Sequence, residues 1–191
     1  MTTVTEHQAQ LRERLLTLIL NEGFSGFTLA ELAQRLHCSK TTLYALGSSK
    51  EQVTVNAVRY YFRGVAEEVD RRAAATSGPT EKIVAYIRAI ADGLRPAAPQ
   101  FFADVALFEP ARAVYERNVE IAAERVATFI DEGVAQGEFR AVRTAFVADL
   151  VASTMQRIQT GQVRLATGLR DAEAFDQLAD LVLNGIRSGG R

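Results

Sequence analysis

The stretch Phe27–Lys50, FTLAELAQRLHCSKTTLYALGSSK, constrains this chain most, because two short helical patterns meet in it across a tight turn. Thr28-x-x-Glu31 has the spacing of a capping box, in which the hydroxyl accepts an orphan N–H and the carboxylate reaches back. Leu29, Leu32, Ala33 and Leu36 then recur at i, i+3, i+4 and i+7, one face of a helix. Ser39 is suited to cap a second helix running to about Leu46, with Leu43 and Leu46 pointing inward. In the turn between them a glycine is usual. His37 stands there instead, and histidine accepts positive φ more often than most residues. This predicts a helix-turn-helix with Lys40, Thr41, Thr42 and Tyr44 left free, the form of an element that enters a DNA major groove.

Charge does not oppose that reading. The net charge of −1 excludes a polybasic binder, but the local field matters more than the total. From Gln34 to Lys50 the basic residues are Arg35, Lys40 and Lys50, and no acid intervenes. Hydrophobic content of 48% and charged content of 24% are those of an ordinary globular protein, and 191 residues allow a sizeable core. Cys38 stands alone, so no intramolecular disulfide is expected. No apolar run reaches the roughly 18 residues of a membrane span, and the start MTTVTEHQAQLRER is too polar for a signal peptide. The cytoplasm is the expected compartment.

The 4 prolines and 13 glycines fall mostly at boundaries, which predicts an all-α chain of about nine helices. The first opens near Thr5, with Thr5-x-x-Gln8 as capping box, and closes at Gly23; Phe24 and Phe27 plug the space behind it. The head's two helices follow. A long fourth helix starts from Ser49-x-x-Gln52 with the stripe Val55, Val58, Phe62, Val65 and Val69, and Ser77-Gly78-Pro79 ends the pattern. A fifth runs from about Thr80 to Leu94, a sixth from Pro99 to Leu107, and a seventh to about Gln136 with Pro110 in its first turn. An eighth spans about Thr144 to Ala166, a ninth about Asp171 to Ser188, and Gly189–Arg191 is expected to fray. The expected division is residues 1–48 as the DNA-binding head and 49–191 as a larger sensing and dimerisation bundle.

The string T-x-x-x-[IL]-A-x-x-L-x-x-S-x-x-T-L-Y-x-x-x-x-S-K-E resembles the tetracycline-repressor (TetR) family of bacterial transcription regulators. It stands here as Thr28, Leu32, Ala33, Leu36, Ser39, Thr42-Leu43-Tyr44 and Ser49-Lys50-Glu51, preceded by Gly23-Phe24. The match covers roughly residues 10–55. His37-Cys38 departs from the family's usual Gly-Val, and Leu46-Gly47 replaces a common aromatic pair, so a different joint to the fourth helix is expected. The resemblance implies Lys40, Thr41 and Thr42 at base edges and Thr28, Tyr44 and Lys50 on the phosphate side, with the capping Ser39 also among the DNA-binding candidates. Ala30 occupies a position where the family often reads a base, and offers only a methyl.

The resemblance also implies a C-terminal bundle that dimerises and encloses a small-molecule effector, giving a repressor released from a pseudo-palindromic operator. The last two helices are the dimer candidates, through Val147, Leu150, Val151, Thr154 and Ile158 on one and Leu178, Leu181, Val182, Gly185 and Ile186 on the other. Candidate effector-lining residues are Tyr86, Phe101, Phe102, Phe108, Tyr115, Phe129 and Met155. Gln156, Arg157 and Gln159, a polar set in an otherwise apolar helix, face either a ligand or solvent, with solvent favoured. A regulator without an effector, or one responding through the Cys38 thiol, are the alternatives. His7 and His37 lie apart, and no paired-cysteine spacing, glycine-rich phosphate loop or G-x-S-x-G elbow occurs. No catalytic residue, metal site or cofactor is therefore expected.

Overall fold

The computed structural model describes residues 2–187, with side chains from residue 6 onward. Among the described residues ten helices follow one another: α1 (Thr2–Glu22), α2 (Leu29–Arg35), α3 (Lys40–Tyr44), α4 (Lys50–Ala74), α5 (Pro79–Leu94), α6 (Pro99–Leu107), α7 (Glu109–Ala135), α8 (Thr144–Gln159), α9 (Gln162–Thr167) and α10 (Asp171–Ile186). The all-α expectation holds. α1 begins before Thr5, and the capping box there, like the tail Gly189–Arg191 and the ninth helix's expected end at Ser188, lies outside the described residues. The expected eighth helix is two: its backbone turns left-handed at Gly161 (φ 74°), and the chain resumes as α9. No described helix is long and apolar enough to cross a membrane.

The chain divides into two compact units, residues 1–64 with 96–115, and residues 65–95 with 116–191. In the first, Leu11, Leu15 and Ile19 recur at i, i+4 and i+8 on α1 and are buried. Phe24, Tyr61, Phe62, Phe101, Phe102, Phe108 and Tyr115 form one aromatic cluster, with ring centroids 5.2–6.4 Å apart. Edge-on contacts of this kind add to the burial itself and fix ring orientation. Phe27, by contrast, is half-buried, with the Arg35 guanidinium 5.6 Å from its ring.

In the second unit α10 packs on α5 and α8. Ile83, Ile87 and Ile90 of α5, Val151, Met155 and Ile158 of α8, and Phe175, Leu178, Val182 and Ile186 of α10 are buried. Tyr86 meets Phe129 edge-on at 5.5 Å. Phe139 lies on the backbone of α7 at Gly133, and Arg140 N–H donates to Ile186 O at 2.8 Å, which ties the α7–α8 connection to the end of α10.

Candidate nucleic-acid interface

The capping box at α2 is complete. Glu31 N–H donates to Thr28 Oγ1 at 3.2 Å, and Thr28 N–H donates to Glu31 Oε2 at 2.7 Å. The Thr28 bonds hold the Glu31 carboxyl below the usual carboxylate range. α2 and α3 pack through Leu32, Ala33, Leu36 and Leu43, all buried. The Arg14 guanidinium donates to Leu36 O, so α1 closes the free end of α2.

His37 makes the turn with φ 50°, the one non-glycine residue at positive φ among those described. Its N–H donates to Gln34 O at 3.1 Å, and Cys38 N–H donates to Ala33 O at 2.9 Å. Left-handed backbone crowds Cβ, and branching at Cβ makes this worse. His37→Val is therefore expected to cost about 1–2 kcal/mol, while His37→Gly leaves stability within about 1 kcal/mol. Paired thermal melts of the two variants check this.

Ser39 Oγ accepts from Thr42 N–H at 3.0 Å and lies 2.8 Å from Thr42 Oγ1. Thr42 is thus partly engaged in the cap, and Lys40 and Thr41 are the exposed side chains of the first turn. Tyr44 is 49% exposed on the same helix. α3 itself ends at Tyr44, two residues before the expected limit, and Leu46 closes a tighter turn onto Leu43 O at 2.8 Å. A Cβ on Gly47 would stand 2.6 Å from Val53 N, so this turn lies directly on the backbone of α4. No side chain fits at Gly47 without movement. Lys50 Nζ donates to Ser25 O at 3.3 Å, and Ala30 is exposed. Arg35 is paired with Glu22, which raises its already high pKa and occupies its guanidinium. Cys38 is partly buried, and burial pushes its thiol up, with Arg14 offsetting only part of this.

One residue of this region carries no mark in the motif. Asp104 of α6 is 2% exposed. Its Oδ2 accepts from Phe24 N–H at 2.5 Å and Ser25 N–H at 2.8 Å; its Oδ1 accepts from Ser25 Oγ and Gln100 Nε2, each at 2.7 Å. Burial alone would raise its pKa, but these four bonds outweigh burial and hold the carboxyl below its usual range. A Cβ on Gly23 would lie 2.4 Å from Oδ2, and Gly23 has φ 78°, so only glycine lets α1 end this close to α6. The available signal was a single acid in the otherwise uncharged helix PQFFADVAL.

The other expected residues separate. Phe101, Phe102, Phe108 and Tyr115 lie in the first unit's aromatic cluster, while Tyr86, Phe129 and Met155 are buried in the second unit. Of the expected dimer faces, Val151, Ile158, Leu178, Val182 and Ile186 are buried within the chain's own second unit. Leu150 (47%) and Leu181 (69%) are exposed, together with Phe146 (68%). Gln156 and Arg157 are exposed and Gln159 half-buried.

No protein-family model matches the chain. The uncharacterized HTH-type transcriptional regulator YfiR of Bacillus subtilis (strain 168) is 22% identical over 144 residues, 72% of this chain and 70% of that protein. A protein from Saccharomonospora viridis, crystallised in complex with choline, superposes with a TM-score of 0.79 at 16% identity, covering 96% of this chain and 99% of that one. A TetR transcriptional regulator from Chloroflexus aurantiacus J-10-FL does so with a TM-score of 0.75 at 21% identity, covering 98% and 99%. The head motif and the ten-helix architecture thus agree: the chain has the fold of the tetracycline-repressor (TetR) family of transcriptional regulators.

Proposed function

We propose that the chain is a DNA-binding transcriptional regulator in the cytoplasm, a repressor released from a pseudo-palindromic operator by a small-molecule effector. The observation that carries this is the α2–α3 pair, with its apolar side chains buried and Lys40, Thr41 and Tyr44 exposed together on α3. Residues 1–48 serve as the reading head and residues 49–191 as the sensing and dimerising part. A fluorescence-anisotropy titration with the promoter DNA next to its own gene tests the reading. Saturable binding that survives a large excess of unrelated duplex supports it; equal affinity for both duplexes counts against it.

A single short recognition helix makes too few contacts for specific binding, so the reading requires a twofold dimer. Phe146, Leu150 and Leu181 are the apolar side chains that α8 and α10 leave exposed, and they support an isologous interface there. Each substitution in such an interface acts twice. Burying one large apolar side chain is worth about 1.5–3 kcal/mol, so Leu181→Lys should weaken the dimer by at least about 100-fold. Light scattering across a dilution series reads this; an unchanged dimer would place the interface elsewhere.

The effector is placed against Tyr86, Phe129 and Met155, the candidate residues of the second unit, which are buried there. It must prefer a state with the heads wrongly spaced, since equal affinity for both states shifts nothing. A thiol-responsive reading is less supported: burial favours the protonated form of Cys38, the less reactive one.

A further inference from the structure

Beside the head, within the first unit, α1 and α4 bound a cleft of about 600 Å³. Its apolar lining is Leu15, Leu46, Val53 and Ala57, each no more than 8% exposed. The remaining lining includes Arg12, Arg59 and Arg63 and no acid. Tyr60 stands among them, with the Arg12 guanidinium 5.1 Å and the Arg63 guanidinium 5.7 Å from its ring centre. Glu13 is the nearby carboxylate, and it accepts from the Tyr60 hydroxyl. Among the described residues no ion pair holds Arg12 or Arg59. Asn56 fixes the far wall: its Nδ2 donates to Leu46 O at 2.8 Å, and its Oδ1 accepts from Gln52 at 3.2 Å. The cleft opens beside the Leu46-Gly47 pair, where the TetR pattern often carries two rings.

We propose that this cleft binds a small amphipathic organic anion, an aryl or acyl carboxylate or phosphate ester. The Tyr60 ring and Ala45, backed by the buried Leu15, Leu46, Val53 and Ala57, take the hydrocarbon part, and Arg12 and Arg59 take the anionic group, the guanidinium fork matching either head group. DNA backbone is the less favoured occupant. The cleft is concave and carries the Tyr60 ring, and Arg59 lies about 13 Å along α4 from Lys50, the proposed phosphate anchor. A ligand seated here touches Ala45 and Leu46, the residues that follow α3, and so sits against the base of the recognition helix. Binding of the anion does not depend on the proposed regulatory function and is measured without DNA.

The probe is 1-naphthyl phosphate, titrated calorimetrically into the full chain at low ionic strength. One saturable site per chain is expected. The Arg12→Ala/Arg59→Ala double variant and the milder Arg59→Gln should bind about tenfold or more weakly, with unchanged circular dichroism and melting. Neutral 1-naphthol and inorganic phosphate, each lacking one half of the recognition, should both bind at least about tenfold more weakly than the ester. No saturable binding by the parent, equal binding by the folded double variant, or equal binding of 1-naphthol overturns the proposal. If instead the double variant lowers the salt slope of DNA binding and the ester does not bind, the cleft belongs to the DNA interface and the proposal fails. DNA binding lost with ester binding intact would instead count against the regulatory reading alone.

Discussion

Asp104→Ala is expected to destabilise the protein by about 2–4 kcal/mol, a fall in melting temperature of roughly 5–15 °C at fixed protein concentration. The substitution removes the acceptor for two backbone N–H groups, Phe24 and Ser25, and for the Ser25 hydroxyl and Gln100 amide. The Phe24 bond is buried, so water does not freely replace the lost partner. Asp104→Asn keeps the shape and one acceptor oxygen, and should cost about half as much. The pH dependence separates charge from shape. The native carboxyl titrates below its ordinary range, and an unfolded aspartate near about 3.9. Above pH 5 both states are ionised and the gap between parent and Asn variant is flat. As pH falls through the unfolded value toward the native one, the unfolded chain takes up its proton first. The parent then loses this contribution and the variant has none to lose, so the gap narrows. A gap that widens from pH 5 to pH 3 would show that the carboxylate is not the stabilising form.

The head was legible because its determinants are local. Thr28 and Glu31 are three residues apart, as are Ser39 and Thr42, and the apolar positions between them repeat at helical spacing. Even the positive φ of His37 was readable, because the turn's length demands it. Asp104 was not legible, because its partners lie 79–80 residues away and no periodicity reports a long-range bond. The break at Gly161 was hidden for a different reason: apolar residues on both sides continue the pattern, and an isolated glycine is tolerated in a helix. On α8 and α10 the pattern marked apolar faces correctly but could not say which residues the chain keeps for itself. Val151 and Val182 are buried at home, whereas Leu150 and Leu181, one position away on each helix, are left exposed. The division of the candidate aromatic residues between the two units was hidden for the same reason: a ring that packs in a core and one that lines a site have the same sequence signature. The α1–α4 cleft combines side chains from positions 12 to 63, and Leu46, standing where the family pattern often carries a ring, was its one local sign.

Lys40→Ala is expected to weaken operator binding by about 1–3 kcal/mol per half-site, roughly 5–150-fold, and to relax discrimination at the base pair that the lysine reads. Its side chain is exposed and fills no core position, so melting should not change. Tyr44→Phe should cost less, about 0.5–1.5 kcal/mol, because a neutral hydroxyl bond is lost and the ring remains. Lys50→Ala should behave differently again. Lys50 reaches Ser25 O in the free protein, at a length of 3.3 Å that makes the contact easily exchanged for a phosphate. Its loss should weaken all sequences alike and lower the salt slope by roughly 0.9 per phosphate released. The threonines divide by the same geometry. Thr42 shares its hydroxyl with the Ser39 cap, so Thr42→Val should lower stability as well as affinity, whereas Thr41→Val should act on affinity alone. Anisotropy titrations of parent and variants at four salt concentrations read all of these. If Lys40→Ala and Tyr44→Phe bound as tightly as the parent at every concentration, the reading surface would not be the exposed face of α3, although the fold would still be that of a DNA-binding head.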